Sequence, residues 1–353
     1  MKLEKSGNMT FFESYMGQIK TRRSEFFKKV NSIIDWRWLE RELDKVYKKG
    51  QSVDGRPSYP SIVLFKMLLI EMWYDMSDVE CEDFVKDSVS ARIFLDLELN
   101  QPIPDHSTIS RFRSELVRKK AYDRLLRKIN KQLEHQGAKV KKGKTIVDAS
   151  VTISPYAPKG KTTYEIAEDR KEDESSDENS DLQDTSYKLI EKTQPGVDTD
   201  ARWLKKSNKL MYGYKQSVAV DEKGMIDAVC TSSANVNDGK LLSVLLSFLP
   251  SSRKKEILAD KGYKIPQNDE LLKMGNIKNR IMFKSYRNRS LTHWQQVFNK
   301  IISRYRYVVE RTFGSIKRWF NGGVARYKGL AKVHAQHVLQ AIAYNLKRAV
   351  SLI

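Results

Sequence analysis

KTIVDASVTI, Lys144–Ile153, is the stretch that decides the fold. It is rich in β-branched residues and, after Lys144, apolar on both sides of a single carboxylate, the pattern of a buried strand. A carboxylate inside an apolar strand is costly unless it is paired or holds a metal. Asp148 is therefore the candidate functional group of that strand. Downstream, YGYKQSVAVD and GMIDAVCTSSA read as two strands joined by a turn around Glu222–Gly224. NDGKLLSVLLSFL reads as a helix, and KKEILAD and NRIMFKS as short strands. Two helices close the chain, one from about Trp294 to Phe320 and one over AKVHAQHVLQAIAYNLKRAV. Strands in a run, followed by alternating helix and strand, predict an α/β layer of mixed strand directions.

Upstream of that strand, residues 1–140 read as all-helical. Trp36, Leu39, Leu43 and Val46 recur at steps of three and four, a helix period. SIVLFKMLLIEMWY follows the turn residues Gly55, Pro57 and Pro60 and predicts a buried helix. It is interrupted by Lys66 and Glu71, so it is not a membrane span. Ser77 with Glu80 three residues later has the spacing of a capping box. Pro102 and Pro104 precede Asp105 or Ser107 as the cap of a basic helix. A buried helix, a turn and a basic capped helix suit a helix-turn-helix reader of DNA, and they suit an ordinary bundle with a solvated basic face equally well.

The chain has 353 residues and a net charge of +20, which points to a polyanionic partner, nucleic acid first. The charge is uneven. Glu165–Asp200 carries 13 acidic residues against four basic ones, so the rest of the chain holds +29. Leu271–Leu330 carries 14 Lys/Arg and one acid, Glu310, and Arg111–Lys131 carries nine basic residues against two acidic. Mixed signs are expected of a salt-bridged surface, whereas unpaired cations are available to phosphates. The acidic tract from Glu165 to Asp184 reads as an exposed, mobile insertion at about residues 160–200. Two cysteines, Cys81 and Cys230, exclude a disulfide scaffold and a four-thiolate zinc site. The first residues lack the apolar run of a signal peptide, and a cytoplasmic chain with no membrane role is expected.

Three carboxylates stand out. Asp148 lies within its strand, Asp260 ends ILADKGY ahead of Gly262, and Glu310 is alone among cations on a long helix. Each has a plain structural reading: a strand-end hydrogen-bond acceptor, a turn former, and an ion-pair partner of Arg306. Together they are the hard oxygen donors that Mg²⁺ takes. Arg306, Glu310 and Lys317 follow at i, i+4 and i+11, steps that keep them near one helix face.

At these residues the chain resembles the DDE transposases of bacterial insertion sequences, whose catalytic domain is ribonuclease-H-like. RPSYPSIVLFKMLLIEMWYDMSDVECEDFVKDSVSARIFLDLELNQPIPDHSTISRFRSEL is similar to the family's N-terminal helical domain. TIVDAS and ILADKGY resemble its two catalytic strands, and RYVVERTFGSIKRWF its signature helix of Tyr, Arg, Glu and Lys. The signature tyrosine falls on Ser303, and Ser217 stands where members often carry His. The resemblance implies a mixed ribonuclease-H-like sheet at 141–353 flanked by helices, after a helical, DNA-end-binding region at 1–140.

It implies further that Asp148, Asp260 and Glu310 are catalytic and hold Mg²⁺, two ions with Mn²⁺ as a substitute. Arg306 and Lys317 would hold DNA, and Arg318, Arg111 and Arg113 from the basic runs are expected to join them. The expected partners are double-stranded transposon-end and target DNA, on which the chain would act as a homodimer in the cytoplasm, at the nucleoid. Two other functions fit the same residues: a ribonuclease-H-like nuclease or resolvase without strand transfer, and a non-catalytic DNA-binding derivative.

Overall fold

The structure is a computed structural model that describes residues 20–48, 58–160, 164–169, 186–191, 194–206 and 208–353. It opens with seven helices: α1 Arg22–Ile33, α2 Trp36–Asp44, α3 Ser61–Tyr74, α4 Asp78–Asp87, α5 Val89–Leu95, α6 His106–Arg118 and α7 Tyr122–His135. In α3 every residue from Ser61 to Trp73 is buried, as expected of a helix apolar all round. Lys66 within it is neutralised by Asp96 at 3.0 Å and donates to the carbonyl of Phe94 at 2.6 Å. The Ser77–Glu80 capping box opens α4. Of the two possible caps for the basic helix α6, Asp105 takes the role, accepting from the Thr108 amide at 2.6 Å.

The sheet begins at β1, Lys144–Ile153, the full extent of the strand expected from sequence. β5 (Lys209–Val220) pairs antiparallel with β1 on one edge. On its other edge β5 pairs antiparallel with both β4 (Arg202–Lys206) and β6 (Ile226–Ser233). On the far side of β1, β7 (Glu256–Ala259) runs parallel to it, and β8 (Lys278–Ile281) runs parallel to β7. The order β6-β5-β1-β7-β8, an antiparallel meander joined to a parallel pair through a central first strand, is the ribonuclease-H-like arrangement. Helix α8 (Leu242–Phe248) packs against β5 and β6, and α9 (Pro266–Met274) against β8. The long α10 (His293–Phe320) and α11 (Leu330–Val350) close the chain.

Four features differ from the sequence reading or add to it. β4 lies in a stretch that the resemblance assigns to the strands but that residue pattern alone does not mark: RWLKK is mostly exposed and lacks apolar alternation. The margins of the acidic tract form an antiparallel ladder, β2 (Tyr164–Asp169) with β3 (Ser186–Glu191). Tyr164 and Ile166, then Tyr187 and Leu189, carry a period-two pattern that the surrounding acids hide in composition. The expectation of a mobile insertion otherwise falls on residues 170–185, outside the described residues. The hydrophobic core also runs across the expected boundary at 140/141: residues of α1–α7 share one cluster with β5, β6, α10 and α11. Finally, Cys81 and Cys230 are free and buried.

β1 is anchored at both ends. Arg253, fully buried, donates to the Lys144 carbonyl at 2.5 Å, and the Thr145 hydroxyl donates to the Arg253 carbonyl at 2.7 Å. At the other end, the Ile153 amide donates to the Gly323 carbonyl and the Ala325 amide to the Ile153 carbonyl, both at 2.8 Å. A strand fixed in this way holds Asp148 in a defined place against α10.

Candidate active site

The parallel pairing of β1 with β7 brings two aspartates together. The register matches Val147 with Ala259, so Asp148 and Asp260 follow side by side, one residue beyond that pair. Asp260 leaves the strand to open a short 3₁₀ turn, Lys261–Tyr263. This is the carboxyl edge of the parallel strands, where open α/β sheets hold their ligands.

α10 passes over this edge and supplies Arg306. Its guanidinium donates to Asp148 Oδ2 at 2.9 Å and lies 3.5 Å from Asp260 Oδ1. The other oxygen of Asp148, Oδ1, accepts from the Ala149 amide at 2.9 Å. Burial pushes the Asp148 carboxyl up from its ordinary range, while the Arg306 guanidinium pulls it back. The side chains are 18% exposed at Asp148, 35% at Asp260 and 14% at Arg306, so the pair is open to an entering ion from the Asp260 side.

Glu310, one turn beyond Arg306, is exposed and is not brought into this group. The ion pair between Arg306 and Glu310 that sequence alone allows is replaced by the pairs with the aspartates. No three Asp, Glu, His or Cys side chains gather for a metal among the described residues. The two aspartates still suit Mg²⁺ in donor chemistry, because this ion is usually held by one or two carboxylates plus waters and substrate phosphates.

The expected DNA contacts fall into two sets. Lys317 and Arg318 lie exposed on the last turns of α10, and Arg111 is exposed on α6, where it donates to its own helix at Ser107. The ammonium of Lys317 is shifted down by partial burial and by the charge of Lys206. Lys206 was not singled out from sequence. The β4–β5 hairpin carries it there, and the lysines of KKSNK around the positive-φ Asn208 were the available signal. Arg113, by contrast, is 8% exposed. It faces into the helical region, ion-paired to Glu71 at 2.6 Å and to Asp78, and so is not presented at a surface. A helix period places Arg111 and Arg113 on different faces, and the charge count alone did not separate them.

The aromatic neighbours of the signature are also placed. Ser303 is exposed at the tyrosine position. The Tyr305 ring lies under the Lys144 ammonium at 4.2 Å, and Tyr307 is 58% exposed. A cavity of 1090 Å³ lies away from the aspartates, between the ends of α3, α4 and α6 and residues 321–327, with Arg111 in its lining.

Comparison with known proteins agrees with this geometry. The family described as "Transposase domain (DUF772)" matches residues 15–115, and the "Transposase DDE domain" family matches residues 179–346. The second match takes in Asp260, Arg306, Glu310 and Lys317, while Asp148 lies before it. The chain is 34% identical over 239 residues to the "Transposase for insertion sequence element IS1106" of Neisseria meningitidis serogroup B, covering 68% of this chain and 76% of that protein. No solved structure matches the chain. Among the described residues no helix is long and apolar enough to cross a membrane. With a mixed sheet of ribonuclease-H-like order and paired aspartates at its carboxyl edge, the chain belongs to the DDE transposases of insertion sequences.

Proposed function

We propose that this transposase binds the terminal inverted repeats of its element, cuts the DNA there and joins the freed 3′ ends to a target. The observation that carries this reading is the side-by-side placement of Asp148 and Asp260 on neighbouring parallel strands, beneath a helix bearing Arg306, Glu310 and Lys317. These two aspartates would hold Mg²⁺, or Mn²⁺ in its place, and Glu310 is assigned as the third ligand on the family resemblance. Bound there, two such ions supply Lewis-acid polarisation of the scissile phosphate and activation of the attacking water or 3′-hydroxyl.

The chain's own residues supply position and charge. Lys317, with Lys206 beside it and Arg318 next in sequence, presents cations to phosphates on the DNA approaching along α10. Arg111 extends that basic surface on the helical region. The anchored β1 keeps Asp148 from moving as the strand is exchanged, which matters because phosphoryl transfer depends mainly on positioning and electrostatic stabilisation. Joining two ends in one event calls for two active sites, and a symmetric dimer on DNA is the simplest assembly that provides them.

The test is cleavage and strand transfer on a duplex bearing the element's terminal repeats, in Mg²⁺ or Mn²⁺, for the wild type and for Asp260→Asn. Both products are expected from the wild type and neither from the variant. Cut but unjoined DNA would reduce the function to that of a nuclease. Wild-type products from Asp260→Asn would remove the aspartate from the mechanism.

A further inference from the structure

We propose that Arg306 competes with a divalent ion for the carboxylates of Asp148 and Asp260, and that the ion must displace its guanidinium before it can bind them. This rests on the reading above, that Asp148 and Asp260 hold the metal, and adds to it a competitor built into the chain.

The argument starts from the lone pairs of Asp148. Its Oδ1 accepts from the Ala149 amide at 2.9 Å, and its Oδ2 accepts from Arg306 at 2.9 Å. The oxygen aimed away from the backbone is therefore the one the guanidinium holds. The second arm of the same guanidinium stands 3.5 Å from Asp260 Oδ1, so one planar cation spans both prospective ligands. A Mg²⁺ ion held by those carboxylates would take the same oxygens as ligands. Ion and guanidinium would then compete for the same lone pairs, with like charges in contact. A bidentate fork of this kind is particular to arginine, since lysine offers only a point charge.

Little else holds the guanidinium in place. Its Nε is buried without a hydrogen-bond partner among the described residues. Glu310, the i+4 carboxylate on the same helix, is not its partner, and α10 offers Arg306 no other acid. Once displaced, the side chain is a free cation on the face that carries Lys317, where the nearest suitable anion is a DNA phosphate. Metal loading and DNA grip are thereby linked: an ion entering at the aspartates frees an arginine for the substrate, and a phosphate engaging Arg306 opens the aspartates to the ion. Such coupling is reciprocal by thermodynamic necessity.

The experiment is Mn²⁺ binding to the full chain without DNA, read as loss of the free-ion electron paramagnetic resonance signal. The proteins are the wild type, Arg306→Gln, Arg306→Lys and Asp260→Asn, each checked for wild-type thermal unfolding. Arg306→Gln should bind Mn²⁺ at least about tenfold more tightly than the wild type, the scale of removing one nearby like charge. Arg306→Lys, which keeps the charge but loses the fork, should fall between them, and it carries the test if the Gln variant fails to fold. In a second measurement, Mn²⁺ should strengthen binding of end DNA by the wild type more than by Arg306→Gln. Equal or weaker Mn²⁺ binding by both Arg306 variants, with binding lost in Asp260→Asn, would overturn the competition and leave the metal site standing. Mn²⁺ binding that Asp260→Asn leaves unchanged, or no binding by any protein, would overturn the metal-site reading and the competition with it.

Discussion

Two clusters of acid and arginine in this molecule have nearly the same composition and opposite characters. One is the candidate active-site group Asp148–Arg306–Asp260, and the other is Glu71, Arg113 and Asp78, joined by Arg326, Asp75 and Tyr327. In the second, Arg113 donates to Glu71 at 2.6 Å and to Asp78 at 3.0 Å, and its guanidinium lies 5.2 Å from the Tyr327 ring. Arg326 approaches the other Glu71 oxygen at 3.4 Å and pairs with Asp75, so the cluster ties α3 to the loop between α10 and α11. The Glu71 side chain is 2% exposed, against 35% for Asp260. In one cluster the central Glu71 is buried and held by both Arg113 and Arg326, with Asp75 exposed at the rim. The other is open at one edge and shares a single guanidinium between two carboxylates. The difference separates an ion network that holds elements together from one whose cation, on the proposal above, is exchanged.

The largest expected effect tests that separation through stability. Glu71→Ala would leave Arg113 and Arg326 facing each other in a buried site without their common anion. Breaking a buried pair in this way costs about 3–5 kcal/mol. Asp260→Ala, at a half-open edge away from the core, should change stability by no more than about 0.5 kcal/mol. Urea unfolding of the full chain measures both. Equal losses from the two substitutions would break the comparison, because the active-site pair would then also be structural.

The comparison shows as well what was legible in the sequence. Asp148 was legible because a charge between Val147 and Ala149 in a β-branched run is costly unless it is paired or holds a metal. Asp260 was legible only through its strand, and their adjacency required the parallel register of β1 and β7, which no local pattern encodes. The opposite fates of Arg111 and Arg113 were hidden in a charge count that treats a buried arginine and an exposed one alike. Arg306 was read as a DNA contact from its place in the signature. Its hold on both aspartates comes from the crossing of α10 over the sheet edge, a tertiary fact. β2 and β3 were masked by acidic composition, although the alternation of Tyr164, Ile166, Tyr187 and Leu189 was present throughout.

A second, smaller effect sharpens the picture of the closed interior beneath β1. His337 on α11 is fully buried, with Nε2 3.0 Å from the Thr152 hydroxyl and Nδ1 2.8 Å from that of Thr231. Burial first, then the neighbouring His334, lowers its pKa from 6.5 to about 3. The unfolded chain takes up a proton near pH 6.5 and the folded chain does not, so stability from this group is present above that pH and is lost as the pH falls. The expected slope below it is about 1.4 kcal/mol per pH unit. His337→Gln should flatten the fall of the melting temperature between about pH 6.5 and pH 5, relative to the wild type. A fall of the same steepness in both proteins would show that other groups govern acid sensitivity.

The smallest effect returns to the two kinds of arginine and lysine, and separates surface from interior by salt. A cation that meets a phosphate contributes about −0.9 to the slope of log affinity against log salt concentration. Lys317→Gln should therefore make the slope for end DNA shallower by about that amount while leaving the melting temperature nearly unchanged. Arg113→Gln should do the reverse: its charge is held by Glu71 and Asp78 inside the helical region, so its loss lowers the melting temperature and leaves the slope alone. A slope that responds to Arg113 and not to Lys317 would invert the assignment, placing DNA against the helical core and away from α10. The paired measurement is informative because both substitutions remove one positive charge from the same chain. Only where that charge sits differs between them.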